Sequence, residues 1–98
     1  MNIKLIVFVT SVTNNQKQGE AFTKEFESDF RPVKGDIIHD SGFHSKYHNG
    51  YEVVKVTVDY ERNECYVSLS PLMLELEDIP FEEYVNHLLA NGWRRLSK

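Results

Sequence analysis

Apolar and polar side chains alternate through residues 51–70, and this alternation predicts two β-strands joined by a tight turn. The apolar positions of the alternation are Val54, Val56, Val58, Tyr60, Cys65, Val67 and Leu69. Folding the segment at Arg62-Asn63 places Val58 opposite Val67 and brings the whole apolar set to one face. A shift of one residue would turn every side chain to the other face, so the pattern predicts the pairing of this hairpin.

A second run, residues 3–12, is rich in β-branched side chains and predicts another strand. One face of that strand carries Ile3, Leu5, Val7 and Val9, and the other face is apolar as well. A strand that is apolar on both faces lies centrally in a sheet or is covered by another element. The polar residues 13–19 that follow predict a loop.

The segment 20–30 is open to two interpretations. Phe22, Phe26 and Phe30 are spaced by four, which suits one stripe of a helix, but they also lie on one face of a strand. The strand and the short polar loop before the segment favour a hairpin return. We therefore predict a strand rather than a helix for this segment.

Residues 31–50 contain more breaks than regular structure. Arg31-Pro32 interrupts any helix or strand, and Gly35-Asp36 supplies a turn. Ile37-Ile38 predicts a short buried strand. The polar loop 39–50 is long for so small a domain, and loops of that length are often functional or mobile.

The last part of the chain predicts one more strand and one helix. Alternation over residues 72–76 indicates an edge strand or an extended segment. Apolar residues then recur at helical spacing after Pro80, and these are Phe81, Tyr84, Val85, Leu88 and Leu89. Asn91-Gly92 predicts a left-handed helix end, which lets Trp93 fold back onto the last turn.

Together these elements predict an α+β fold with a strongly curved, mostly antiparallel β-sheet or small SH3-like open barrel and one C-terminal amphipathic helix. The stretch PVKGDII (32–38) followed by YEVVKV (51–56) resembles the opening of SH3-like small barrels, where a Gly-Asp turn leads into a barrel strand. The resemblance is confined to these two stretches, identifies no named family and carries over no functional residues. A chain of 98 residues makes a single domain, 1–98.

Composition narrows the possible functions. The formal net charge of −4 disfavours general binding to nucleic acid, which needs clustered lysines and arginines, but it allows a local basic patch. The single cysteine, Cys65, excludes an internal disulfide, fits a reducing compartment and is predicted to lie in the core. The N-terminal apolar run is short and has no signal-peptide cleavage site, and no stretch reaches the roughly 20 apolar residues of a membrane span. We therefore expect a cytoplasmic protein without membrane association.

The loop 39–50 contains a candidate metal site. His39, His44 and His48 lie in it beside Asp40, and imidazole and carboxylate groups are common zinc ligands. Their spacing matches no standard metal motif, so the alternative is a solvated loop that happens to contain histidines. A histidine paired with a carboxylate would also suit general-base catalysis, but no nucleophile-elbow, Walker or dinucleotide-binding pattern is present. We therefore predict no enzymatic activity and no cofactor.

The basic residues indicate nucleic-acid binding as an alternative function. Trp93 precedes two arginines, an arrangement that suits stacking on a base and contact with a phosphate. The alternative is that Trp93 covers the end of the helix while the arginines stay in water. The candidate nucleic-acid residues are Lys55, Arg62, Arg94, Arg95 and Lys98.

The outer face of the predicted hairpin is the candidate surface for a protein partner, because tyrosines are enriched at interfaces. The candidate partner-binding residues on this face and in the loop are Tyr51, Lys55, Tyr66, Phe43 and Tyr47. The alternative is that the helix covers this face. We predict a non-catalytic binding or regulatory module for a protein partner of unknown identity, present as a monomer or as a homodimer formed by strand pairing.

Overall fold

The computed structural model describes residues 1–13, 16–43, 50–74 and 80–96. It confirms the predicted fold class, a small α+β fold whose strongly curled mixed sheet forms a half-barrel with one C-terminal helix. The elements are β1 (Asn2–Thr13), β2 (Gln16–Glu27), β3 (Ile37–Ile38), β4 (Tyr51–Asp59), β5 (Glu64–Leu69), β6 (Leu72–Leu74), α1 (Phe81–Ala90) and β7 (Arg94–Arg95).

Strand β1 lies at the centre of the sheet, which confirms the prediction from its two apolar faces. The strand order of the described residues is β3-β4-β5-β1-β2-β7, with β6 also paired to β1. The side chains of Ile3, Leu5, Val7 and Val9 are completely buried and form the inner face of β1. Local alternation did not predict that β5 and β6 pair with β1 in parallel. β5 pairs with the first half of β1, at Asn2–Ile6, and β6 pairs with its second half, at Val9–Ser11.

The first hairpin is longer than the sequence predicted. The predicted loop 13–19 is wrong, because β1 continues to Thr13 and β2 begins at Gln16. Thr13 and residues 16–19 are each paired with a residue on the facing strand, and this ladder outweighs the low strand propensity of the side chains. The strand prediction for residues 20–30 is confirmed as far as Glu27, and Phe30 lies beyond the end of β2.

The second hairpin has the predicted faces but a different register. Val58 pairs with Cys65, whereas the prediction placed it opposite Val67, so the register is shifted by two residues. Because the side-chain period of a strand is also two, this shift leaves the inner and outer faces unchanged. Tyr60 was predicted to face inward, but it lies in the turn and is 81% exposed.

Because β4 contains a bulge, a second position, Val54, also differs from its prediction. The register shifts between Val53 and Lys55, so Val53 enters the core and Val54 is exposed. A bulge places one extra residue in one strand, which reverses the alternation on either side of it. The short strand β3 also differs from its prediction as a buried strand. Ile37 is exposed at this edge of the sheet, although Ile38 packs against the core.

The C-terminal helix confirms the helical spacing and the predicted end. α1 begins after Pro80 and buries three of its side chains, Tyr84, Val85 and Leu88. The backbone amides of Asn91 and Trp93 donate to the Leu88 carbonyl, and the Trp93 side chain folds back into the core. The two arginines after Trp93 are exposed to water, as the alternative interpretation held, and they also form β7, which pairs with β2.

Candidate binding cleft

An open cleft of about 190 Å³ lies where the chain leaves β2 and crosses to β3. It is lined by Phe26, Ser28, Phe30, Arg31, Pro32, Asp36 and Ile38. Phe26 sits on the inner face of the sheet, in the row that continues through Ile3 to Cys65 on β5. The cleft therefore lies over one end of the half-barrel core.

Local hydrogen bonds hold the segment that forms one wall of the cleft. Ser28 Oγ donates to the Phe30 carbonyl at 2.7 Å, and the Val33 amide donates to Asp36 Oδ2 at 3.0 Å. The backbone of the segment is also tied to β4, since the Val53 amide donates to the Asp36 carbonyl at 2.8 Å. Serine and aspartate commonly stabilise turns in this way. These hydrogen bonds fix the turns that form this wall of the cleft.

Large apolar side chains at the cleft are open to solvent. Phe30 is 83% exposed and Phe26 is 40% exposed. Val33 and Ile37 follow in the same segment and are exposed as well, although they do not line the cleft. Single exposed apolar residues are normal, but a group of them around a concavity is typical of an interaction site.

One cationic side chain borders this apolar surface. Arg31 is exposed, and within the part of the chain that the structure describes it forms neither a hydrogen bond nor an ion pair. Its charge acts on Cys65 at the centre of the sheet. Burial raises the pKa of the Cys65 thiol, and the Arg31 guanidinium opposes that rise without cancelling it. Cys65 is a completely buried core residue, as predicted, and its raised pKa favours the unreactive thiol form.

A second polar cluster fastens the loop after β3 to the helix end. Asp40 Oδ1 accepts hydrogen bonds from Trp93 Nε1 at 2.8 Å and from the Gly42 amide at 2.7 Å, and Lys24 Nζ lies 2.9 Å from Oδ2. His87 Nδ1 is 2.9 Å from the Gly42 carbonyl oxygen. Both carboxylate oxygens of Asp40 are therefore engaged in holding the fold, which argues against Asp40 as a metal ligand.

Asp40 is expected to make stability depend on pH. Partial burial alone raises the pKa of Asp40, but hydrogen bonds from Lys24, Trp93 and the Gly42 amide outweigh it and hold the pKa below its ordinary 3.8. The stabilisation is therefore complete above that ordinary value and is lost as the pH falls through the lowered pKa. Replacing Asp40 with asparagine is expected to lower the free energy of unfolding by about 1–3 kcal/mol near neutral pH, measured by urea denaturation.

The matched control is Glu27→Gln, which removes an exposed carboxylate that pairs with the N-terminal amine. This control is expected to change stability by less than about 0.5 kcal/mol, because exposed ion pairs contribute little. The difference between wild type and Asp40→Asn should shrink as the pH falls through the lowered pKa of the wild-type carboxyl. A difference that stays constant over this range would contradict the assigned role of Asp40.

The predicted partner-binding residues do not form one surface. Phe43 is buried and makes an edge-to-face contact with Tyr51 at 4.7 Å between ring centroids. Tyr51 packs against the core, and its hydroxyl lies 3.3 Å from that of Tyr84 on α1. Tyr66 is on the opposite face of the sheet, where Lys4 Nζ lies 5.2 Å from its ring centroid. Lys55 is exposed, and Tyr47 lies outside the described residues.

The predicted nucleic-acid residues are likewise dispersed. Arg94 pairs with Glu25 at 2.7 Å, and Arg95 pairs with Glu20. The two arginines are in the edge strand β7, whereas Lys55 is in β4, four positions away in the strand order. Arg62 is exposed in the turn after β4, and Lys98 lies outside the described residues.

Of the predicted metal ligands, only His39 can be placed. It is exposed, whereas His44 and His48 lie outside the described residues. The described part of the chain contains no group of three or more histidine, cysteine, aspartate or glutamate side chains that could hold a metal ion.

The helix of the described residues is too short to cross a membrane. Comparisons with protein-family models, with curated proteins and with solved structures find no match to this chain.

Proposed function

We propose that this protein is a non-catalytic binding module whose cleft takes one apolar side chain of a protein partner. The observation that carries this proposal is the pair of solvent-exposed phenylalanines that line a concave site, Phe26 and above all Phe30 at 83% exposure. Filling the cleft would remove this apolar surface from water. Burying a Phe, Leu or Ile side chain contributes about 1.5–3 kcal/mol.

The size of the cleft supports a side chain as its occupant rather than a metabolite or cofactor. Pockets that hold drug-sized ligands have volumes of about 300–1,000 Å³. The cleft measures about 190 Å³, close to the roughly 150 Å³ of an apolar cavity that binds benzene. One aromatic ring or one branched aliphatic side chain fits such a volume.

The polar groups of the cleft support binding rather than catalysis. Ser28 Oγ and Asp36 Oδ2 are engaged in the turns of the wall. An active site needs a nucleophile or a general base within reach of an orienting partner. We propose that these side chains fix the shape of the cleft and that Phe26, Phe30 and Ile38 make the apolar contact.

The experiment is a selection of short displayed peptides on the wild-type protein, followed by affinity measurements on two variants. We expect the selected peptides to share one Phe, Leu or Ile position. Phe30→Ala is expected to weaken their binding about tenfold, which corresponds to about 1.4 kcal/mol of lost apolar contact. Phe30 is so exposed that its removal should leave the fold intact.

Tyr60→Ala is the matched control, because Tyr60 is an aromatic residue of nearly equal exposure, 81%, outside the cleft. It is expected to change the affinity by less than about twofold, the usual size of a surface substitution. Failure to select any peptide with a shared apolar position, or equal losses in both variants, would overturn the proposal.

The ion pairs of Arg94 and Arg95 favour a protein partner over nucleic acid. Each arginine is paired with a glutamate of β2, so little positive charge is left there to displace counterions from phosphates. Nucleic-acid binding, metal binding through the loop histidines, the SH3-like resemblance and the cytoplasmic location remain predictions. So does the choice between a monomer and a strand-paired homodimer.

A further inference from the structure

The chemistry of the cleft rim narrows the class of peptide that would occupy the cleft. Arg31 is an exposed guanidinium that has neither a hydrogen bond nor an ion pair in the described residues. Some cations of the sheet do have carboxylate partners, for example Arg94 with Glu25 and Lys4 with Glu64. A cation that lines an apolar cleft and lacks an internal partner is placed to receive one from a ligand.

Arg31 belongs to the lining of the cleft. It is one of the cleft-lining residues, together with Phe30 and Pro32 on either side of it in the chain. An anchor side chain in the cleft would therefore bring the neighbouring residue of the same peptide close to the guanidinium.

The charges around Arg31 favour one carboxylate over a polyanion. The surrounding segment carries three carboxylates, on Glu27, Asp29 and Asp36, against the two cations of Arg31 and Lys34. A nucleic-acid backbone needs several clustered cations, and this segment offers only two, interspersed with carboxylates. A single carboxylate, in contrast, matches a guanidinium in charge and in its two-pronged hydrogen-bonding geometry.

We propose that the cleft recognises an extended peptide segment in which the apolar anchor stands next to a single acidic residue, and that Arg31 binds that carboxylate. This inference rests on the proposed function of the cleft. The anchor supplies most of the binding free energy, and the exposed charge pair supplies selectivity and a faster association.

The test uses labelled synthetic peptides that contain the selected anchor in a Gly/Ser sequence, with one Asp, Asn or Lys beside the anchor. Their dissociation constants are measured by fluorescence polarisation with wild type, Arg31→Glu and Lys34→Glu. For wild type, replacing Asp with Asn is expected to weaken binding about two- to fivefold, the range for an exposed ion pair. Arg31→Glu is expected to reverse the order, so that the Lys peptide binds more tightly than the Asp peptide.

Lys34→Glu is the matched control, because it makes the same change in net charge three residues away, outside the cleft lining. It is expected to keep the preference for the Asp peptide. Equal affinities of the Asp, Asn and Lys peptides for wild type would overturn the role of Arg31 while leaving the apolar cleft in place. Absence of binding by every peptide of the series would overturn the proposed function itself. An oligodeoxythymidine that binds the cleft, with no preference among the peptides, would overturn the inference in favour of nucleic acid.

Discussion

Replacing Trp93 with alanine is expected to remove about 3–5 kcal/mol from the free energy of unfolding, the usual loss when a buried tryptophan is truncated. Trp93 is only 3% exposed, and its ring packs against Phe43 at 5.7 Å between ring centroids. Its indole N–H also donates to Asp40, so the variant loses a hydrogen bond as well as apolar contacts. Domains of this size have unfolding free energies of about 5–15 kcal/mol, so the loss is a large part of the total.

The measurement is urea or thermal denaturation of wild type, Trp93→Ala and Trp93→Phe. Trp93→Phe keeps a ring in the core but removes the N–H donor, while Asp40 retains Lys24 and the Gly42 amide. We expect this variant to lose about 1.5–3 kcal/mol, the cost of one hydrogen bond to a charged group with some loss of packing. A loss below about 1 kcal/mol for Trp93→Ala would show that the helix end does not close the core in this way.

Replacing Gly50 with alanine is expected to cost about 2–4 kcal/mol and to weaken peptide binding in the cleft. Gly50 has a φ of +83°, which an L-residue adopts only with strain, and an added Cβ would lie 2.5 Å from the Ile38 carbonyl oxygen. The backbone of β3 must therefore move away from β4. Because Ile38 lines the cleft, this movement changes the shape of the cleft as well as the stability of the sheet edge.

Gly35→Ala separates the two causes of the lost stability, which are backbone strain at a positive φ and the clash of the added Cβ. Gly35 also has a positive φ, +99°, but an added Cβ there meets no atom within 4 Å. This control is expected to lose about 1–2 kcal/mol of unfolding free energy, the cost of backbone strain alone, and to bind the selected peptides normally. Equal losses of stability, or unchanged peptide affinity in Gly50→Ala, would contradict the link between this backbone contact and the cleft.

The faces of the strands could be predicted from the sequence because every second side chain of a strand lies on the same face. Ile3, Leu5, Val7 and Val9 were predicted to share a face, and all four are buried. The register of the second hairpin could not be predicted as well. A slip of two residues preserves the alternation, so the length of the turn at residues 60–63 decides it.

The parallel pairing of β1 with β5 and β6 had no local signal. It joins residues that are more than 60 positions apart in the chain, such as Ile3 and Cys65. Single-sequence patterns report on neighbours along one strand, whereas strand order depends on how separate segments pack. For the same reason the sequence did not predict β7, whose two arginines show no apolar alternation. Backbone pairing with β2 and ion pairs with glutamates of β2 hold this strand.

The candidate cleft was not predicted, because it is assembled from residues whose sequence patterns indicate different things. Phe26 is the second-last residue of a strand, Arg31-Pro32 interrupts regular structure, and Ile38 belongs to a two-residue strand. Only the fold of the half-barrel brings these residues around one concavity. Phe43 was predicted as a partner-binding residue of the polar loop and Tyr51 as one on the outer face of the hairpin, but both pack with the core, where Phe43 contacts Tyr51 and Trp93.

The most direct test of the central claim is to observe an anchor side chain in the cleft. A Phe-anchored peptide from the selection is bound to protein labelled at its isoleucine methyl groups, and intermolecular nuclear Overhauser effects are recorded from the anchor ring. We predict contacts to the Ile38 methyl group, which lines the cleft. Contacts to Ile6, on the opposite face of β1, without any to Ile38 would contradict the assignment of the binding site.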